Sequence, residues 1–192
     1  MSTSELWPIA VHEAGHAVVS VYYEIPFTQL FITPDGSGGL MFNMKKHEVL
    51  LKSPAQVRYA SRLIVSCYSG FVGHRRVFPS VSREGVKDDA NHAGGLLHYY
   101  FKYERILDKN TGKFRCPIDA EIEILVKRRA RRLWRVTQRL VRRLFPVIQV
   151  VARALLERKR MTGEEVVALA GPLIANKRAA CIARQRRARS SG

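Results

Sequence analysis

The sequence predicts a mainly α-helical domain with one small β-hairpin. Most of the chain carries apolar residues at helical spacing, whereas β-type runs occur as one short pair joined by a turn. The 192 residues are 46% hydrophobic, which is enough for the core of one domain and excludes wholesale disorder. Helical periodicity is lost near the carboxyl end. We therefore expect one domain over residues 1–175 and a basic, disordered tail over 176–192.

The first helix and the hairpin follow one another at the amino end. Residues 8–23 are mostly apolar and predict a buried helix, with Pro8 at its first position. Residues 29–33 and 39–44 are short β-type runs. Between them, residues 34–38 combine proline, aspartate, serine and glycine, which are the residues that turns favour.

Further helices are predicted after the hairpin, at about residues 54–71, 88–105, 119–145, 146–157 and 162–169. The helix over 119–145 has an apolar stripe on one face, so we expect that face to be buried. Pro146 should end it and begin the next helix, because proline has no backbone N–H to donate. Thr162 and Glu165 form a capping-box pattern that should begin the last helix.

The positive charge is concentrated in the second half of the chain. Residues 1–100 contain 9 Lys+Arg and 8 Asp+Glu, a net of +1, whereas residues 101–192 contain 24 and 8, a net of +16. Residues 127–143 hold nine basic residues and residues 177–189 hold six, and neither segment contains an acid. Such segments predict an anionic partner: nucleic acid, an acidic protein, or a membrane surface reached by the helix over 119–145. A solvated cationic surface is the simpler interpretation.

Several classes of protein are excluded by the same composition. No apolar run reaches the roughly 18 residues of a transmembrane helix, and the first residues lack the pattern of a signal peptide. Cys67, Cys116 and Cys181 lie far apart, which argues against a disulfide framework. We therefore expect a cytoplasmic protein. No GxxxxGK[ST] motif occurs, so we expect no ATP binding in this chain.

A metal-binding motif lies in the first helix. His12, Glu13 and His16 form the pattern HExxH, in which the two histidines share one face of the helix. Both imidazoles can then reach one zinc ion, and the glutamate can take a proton from a zinc-bound water. Because the surrounding helix is apolar, these polar side chains need a partner, which favours a metal site over an accidental surface cluster.

A hydrolytic zinc site needs a third protein ligand and keeps one position for water. No downstream histidine completes the HExxHxxGxxH pattern. The residues alone leave six candidates open: His47, His74, Asp88, Asp89, His92 and His98.

Four segments follow the HExxH helix along the chain: Leu30–Met41, Ser66–Arg76, Gly85–Ala93 and Ala154–Val166. In this order they resemble the strand–turn–strand, the glycine-containing helix, the Gly-Ala-Ser-Asn-Asp stretch and the closing helices of one peptidase domain, that of the FtsH-type, membrane-anchored, ATP-dependent zinc proteases. The resemblance covers about residues 8–170 and implies a zincin-like, FtsH peptidase-domain architecture. The domain over residues 1–175 is then a zinc metallopeptidase domain.

The resemblance also implies roles for individual residues. His12 and His16 would bind one zinc ion with Asp89 as the third ligand, and Glu13 would be the catalytic general base. This sequence departs from the family at His74 and Arg75, which replace a pair of glutamates. The ATPase module and the transmembrane helices of the family are not found in this sequence, so we expect the peptidase domain alone.

The predicted function is that of a zinc metalloendopeptidase acting on protein or peptide substrates. Two alternatives for protein partners stay open: a homo-oligomer and a separate ATPase partner. The competing hypothesis is a non-catalytic zinc-binding adaptor, which binds nucleic acid or another anionic surface through residues 127–143 and 177–189.

Overall fold

The computed structural model describes residues 2–42, 54–80, 87–102, 106–107 and 112–190. The helices are α1 (Thr3–Tyr23), α2 (Pro54–Val77), α3 (Lys87–Lys102), α4 (Asp119–Arg158) and α5 (Gly163–Ser190). The strands are β1 (Phe27–Ile32), β2 (Gly38–Phe42), β3 (Ile106–Leu107), β4 (Phe114–Arg115) and β5 (Arg160–Thr162). The prediction of a mainly α protein with a small hairpin is confirmed. The predicted strand residues 43–44 and helix residues 103–105 lie outside the described part of the chain.

Helix α1 forms the centre of the core. It packs against α2 and α4 along most of its length. Ala10, Val11, Ala14 and Val18 are all fully buried, as expected for a helix that is apolar on nearly every side. The helix ends at Glu24, which adopts a left-handed conformation with φ of 59°. The polar side chains of Glu13, His16 and Ser20 on α1 are therefore buried within this core.

A small antiparallel sheet covers one side of α1. Its strand order is β2-β1-β5, and the predicted hairpin of β1 and β2 is confirmed. The third strand, β5, was not predicted; it pairs Leu30 of β1 with Met161. Both side chains are fully buried, so the sheet closes over the core at this point. Strand β2 is left at one edge of the sheet.

Helix α4 is unbroken for 40 residues, so the prediction that Pro146 ends a helix was wrong. The residues that follow Pro146 include Val147, Ile148 and Val151, all of which are buried. The free energy gained by burying this apolar face outweighs the cost of the backbone hydrogen bond that proline cannot make. The predicted apolar stripe is confirmed at the buried positions Ile122, Val126, Leu133, Thr137, Leu140 and Leu144.

Helix α5 begins as predicted but continues further. The backbone N–H of Thr162 donates to Glu165 Oε2 at 2.7 Å and that of Glu165 donates to Thr162 Oγ1 at 3.2 Å, which forms the predicted capping box. The helix runs to Ser190 instead of ending near residue 169, so the backbone of residues 176–190 is helical and not irregular. These residues are rich in alanine and arginine, which favour helix.

No helix in the described ranges has both the length and the apolar composition needed to cross a membrane.

Candidate metal centre

Two elements bring the first three polar groups of the site together. His12 and His16 lie one turn apart on α1, and their Nε2 atoms are 3.0 Å apart. Asp89 lies in the first turn of α3, and its Oδ2 is 3.0 Å from His12 Nε2 and 3.1 Å from His16 Nε2. Three potential ligand atoms thus form a nearly equilateral triangle. The structure places together the residues that the sequence and the resemblance selected.

The close approach of α1 and α2 orients His16. Ser69 Oγ donates a hydrogen bond of 3.0 Å to the backbone carbonyl of Gly15, and a Cβ on Gly15 would lie 2.7 Å from the Ser69 carbonyl oxygen. At this short separation, His16 Nδ1 donates to the carbonyl oxygen of Ser66 at 2.7 Å. The bond fixes the ring so that Nε2 points at the cluster, which is the usual arrangement behind a metal-bound histidine.

The histidines and the carboxylates of the cluster stabilise each other's charged forms. Burial alone would lower the pKa of His16, but the carboxylates of Asp89 and Glu13 and the Ser66 carbonyl raise it to about 9. Burial raises the pKa of Asp89, but the charges and hydrogen bonds of His16 and His12 outweigh it and hold that pKa well below its usual value. Asp89 is therefore a carboxylate, and it offers an anionic ligand.

Glu13 lies beside this cluster on α1. Its side chain is only 8% exposed, and burial raises the pKa of its carboxyl group above the usual value. The β2 strand lies against it, because a Cβ added to Gly38 would be 2.8 Å from Glu13 Cγ and 3.1 Å from Oε1. Glycine at position 38 therefore leaves the room that Glu13 occupies. A buried carboxyl group in this position can hold or release a proton.

The four residues share one cavity of about 450 Å³, which we call the metal cavity. It lies between α1, β2, α2 and α3, and its other lining residues include Leu40, Cys67, His92 and Leu96. Burial, with a smaller contribution from Asp89, raises the pKa of the Cys67 thiol to about 12, so it stays protonated near neutral pH. Open space therefore adjoins the three ligand atoms.

The other candidate ligands occupy different positions. His74 packs edge-on against His12 with 5.9 Å between ring centroids, and burial together with His12 lowers its pKa to about 4. His92 is exposed at the wall of the metal cavity. His98 instead pairs with Glu123 at 3.3 Å.

The last two candidate ligands are Asp88 and His47. Asp88 is exposed in the first turn of α3 and does not join the triangle formed by His12, His16 and Asp89. His47 lies outside the described residues.

Glycine and backbone groups were missed by the sequence reasoning. A Cβ on Gly70 of α2 would lie 2.2 Å from His16 Nε2 and 2.8 Å from His12 Nε2, so its absence leaves space at the ligand atoms. The carbonyl of Ser66 orients His16 without any contribution from its own side chain. A usable signal was the row of small residues Ser66, Ser69, Gly70 and Gly73, which lie three or four positions apart on one helix face.

The donor set fits a zinc ion. Histidine nitrogens and a carboxylate oxygen are common zinc ligands, at bonds of ~2.0–2.1 Å, which place tetrahedral ligands roughly 3.3 Å apart. The observed separations of 3.0–3.1 Å need only a slight opening to reach that value. The Ser66 carbonyl already satisfies the second nitrogen of His16, and Gly70 leaves the approach open. Zinc binding would displace the proton from His16 Nε2.

The fold and the site together define a mainly helical protein with two histidines and an aspartate arranged to hold a metal ion. No family model matches the chain. The chain is similar to the mitochondrial inner membrane m-AAA protease component YTA10 of Saccharomyces cerevisiae, with 28% identity over 193 aligned positions. The alignment covers 90% of this chain but 24% of that protein, so this chain spans about a quarter of its relative's length.

Proposed function

We propose that this protein is a zinc-dependent metalloendopeptidase with an FtsH-like peptidase architecture. The observation that carries the proposal is the convergence of His12, His16 and Asp89 in one cavity with the buried Glu13. A sequence pattern can place two histidines on one helix by chance. The Asp89 carboxylate on α3, 73 residues after His16, lies within 3.1 Å of both imidazoles. Such a contact between distant residues arises by chance much less often. The distant similarity to a protease component supports the same reaction.

Each residue of the metal cavity would have a defined task. His12, His16 and Asp89 would hold the ion, which when bound supplies Lewis-acid polarisation and a lowered pKa for water. Glu13 would accept the proton of the attacking water at its carboxylate and deliver it to the amine nitrogen that leaves. Because Glu13 is buried, its electrostatic interactions with the reacting groups would be stronger than in bulk water.

Strand β2 gives the substrate a place to bind. It is at the edge of the three-stranded sheet, and Gly38, Gly39 and Leu40 line the metal cavity. An extended peptide that pairs with this edge would lie along the cavity and bring a peptide bond towards Glu13. The proposed substrates are therefore unfolded or extended segments of proteins.

Glu13→Gln tests this function. The variant should bind zinc as the wild type does, but should cleave casein or an unfolded protein roughly 10² to 10⁴ times more slowly, because it has no carboxylate to accept the proton. Glu164→Gln, at an exposed position of α5, is the matched control and should cleave at the wild-type rate. Zinc content should be measured for both, and for His16→Ala, which should lose the metal. Undiminished cleavage by Glu13→Gln would contradict the mechanism.

A further inference from the structure

A second cavity adjoins the metal cavity. It has a volume of about 680 Å³ and shares two lining residues, Cys67 and Asp89, with the metal cavity. Its walls come from α2, from the first turn of α3 and from α4. Because Asp89 belongs to both cavities, a molecule bound in the second cavity lies directly beside the metal ligands. We call this space the lateral cavity.

The wall of the lateral cavity is aromatic. Trp134 of α4 packs against Tyr68 and Phe71 of α2, with ring centroids 5.5 Å and 5.8 Å apart. All three rings are partly exposed and line the cavity. Such a wall favours the apolar portion of a side chain or the methylene groups of a longer polar one.

The rim of the lateral cavity is cationic. Arg75 of α2 and Arg131 of α4 line it, and both side chains are exposed. Among the described lining residues Asp89 is the one acid, and its carboxylate is already engaged by His12 and His16. A group that enters this cavity therefore meets two exposed guanidinium groups that can pair with a carboxylate, and Arg75 also lies 5.8 Å from the centroid of the Phe71 ring.

Arg131 also belongs to a longer cationic face on α4. Eight exposed basic side chains project from it: Lys127, Arg128, Arg131, Arg132, Arg135, Arg139, Arg142 and Arg143. At the helical repeat they fall within an arc of roughly 160° along about 24 Å of helix. The field of this face would draw an acidic segment towards the lateral cavity.

We propose that the lateral cavity is a substrate subsite that selects an acidic residue close to the scissile bond, so that the preferred substrates are acidic polypeptide segments. The proposal rests on the proposed peptidase function. Arg75 and Arg131 would pair with the carboxylate, while Tyr68, Phe71 and Trp134 contact its methylene groups. A peptide is favoured over a nucleic acid because the cavity opens beside Asp89, where the edge of β2 would also present an extended polypeptide.

Trp134 allows binding to be measured without cleavage. The chain has two tryptophans, so Trp7→Phe leaves Trp134 as the one indole fluorophore. The protein for this titration would carry Trp7→Phe and Glu13→Gln, and the fluorescence of Trp134 would be followed as decapeptides are added. Each decapeptide has a central Phe and carries Glu, Gln or Lys at one other position, which is varied in turn. At one or two positions, the Glu peptide should bind about 3- to 10-fold more tightly than its Gln counterpart, with the Lys peptide weakest.

Arg131→Glu and Arg132→Glu form a matched pair. Both residues are exposed on α4 and both reversals change the net charge equally, but Arg132 does not line the cavity. Arg131→Glu should abolish the preference for Glu over Gln, both in binding and in kcat/KM of the zinc-loaded enzyme. Arg132→Glu should keep it. Arg75→Glu is the second variant, and it should act as Arg131→Glu does.

The outcomes separate this inference from the proposed function. The subsite would be overturned if Arg131→Glu and Arg132→Glu had the same preference for Glu over Gln peptides, or if the Lys peptide bound best. Either result would leave the proposed peptidase function untouched. Acid-selective binding that depends on Arg131, in a zinc-loaded protein that cleaves no peptide, would overturn the peptidase function and support the pocket. A short oligonucleotide that binds more tightly than the Glu peptide in the same Trp134 fluorescence titration would overturn the choice of a polypeptide ligand.

Discussion

The two halves of the molecule use polar residues in opposite ways. Five of the six buried polar side chains among the described residues lie on α1 and α2, namely Glu13, His16, Ser20, Ser66 and Ser69. On α4 the buried polar residue is Thr137, which donates to the carbonyl of Leu133 at 2.9 Å within its own helix. Among the described residues, the half with a net charge of +1 thus buries five polar side chains, whereas the half with a net charge of +16 buries one and exposes most of the arginines of α4.

The comparison separates catalysis from recognition. The buried His16 is held by the Ser66 carbonyl and by Asp89, so the orientation of its ring is fixed before any substrate arrives. The arginines of α4 keep their hydration and act over longer distances. Helix α4 also contributes Trp134 and Arg131 to the lateral cavity, so the two halves meet beside Asp89. Variants that disturb one half and leave the other unchanged test this division.

The largest effect is expected from Gly70→Ala in the neutral half. The added Cβ would lie 2.2 Å from His16 Nε2 and displace a ligand atom, so zinc affinity should fall by more than roughly 100-fold. Gly73→Ala is the matched control on the same helix, because its Cβ would lie 3.3 Å from the nearest atom, the Val11 carbonyl oxygen. Zinc titration calorimetry would compare the two. Wild-type zinc affinity in Gly70→Ala would show that the ion binds elsewhere.

A smaller effect is expected from Gly38→Ala on β2. The new Cβ would meet Glu13 Cγ at 2.8 Å and move the carboxylate, while the three metal ligands stay in place. We expect kcat to fall roughly 10- to 100-fold with zinc affinity unchanged. Gly39→Ala serves as the control, since its Cβ would contact the Phe31 ring at 3.2 Å. If both variants lost activity equally, the effect would belong to the strand and not to Glu13.

Much of the site was predictable because it depends on residue identity. The spacing of His12 and His16 is enough to place both imidazoles on one helix face, and family resemblance selected Asp89. Gly38 and Gly70 were missed because what matters there is the absence of a side chain, and that has meaning only once the neighbouring helix or strand is placed. Ser66 was missed because its backbone carbonyl acts, and any residue carries one.

The fold was predictable where local chemistry and packing agree. The capping box at Thr162 and the hairpin are local signals, and both are confirmed. Pro146 is a case of disagreement: its local preference is to break a helix, but the buried Ile148 and Val151 that follow it are best packed when α4 continues. Strand β5 has three residues and pairs with residues about 130 positions earlier in the sequence, so no local pattern could reveal it.

The smallest effect concerns the amino end of α4 in the basic half. Arg115 donates two hydrogen bonds of 2.7 Å to Glu121, whose carboxylate also accepts the backbone N–H of Ile118. These bonds lower the pKa of Glu121 from 4.5 to about 2. Because its folded-state pKa is depressed, the carboxylate stabilises the fold above about pH 4.5, and this contribution is lost as the pH falls towards 2.

Glu121→Gln should therefore lower Tm at pH 7, and the difference from the wild type should shrink steadily below about pH 4.5. Glu123→Gln is the matched control on the same helix, because Glu123 is exposed and its contacts, 3.3 Å to His98 and 3.8 Å to Lys127, are longer. Thermal unfolding from pH 7 to pH 3 measures both. A constant difference across that range would mean that the capping geometry, and not the carboxylate charge, stabilises α4, and that the basic half does not depend on its few acids.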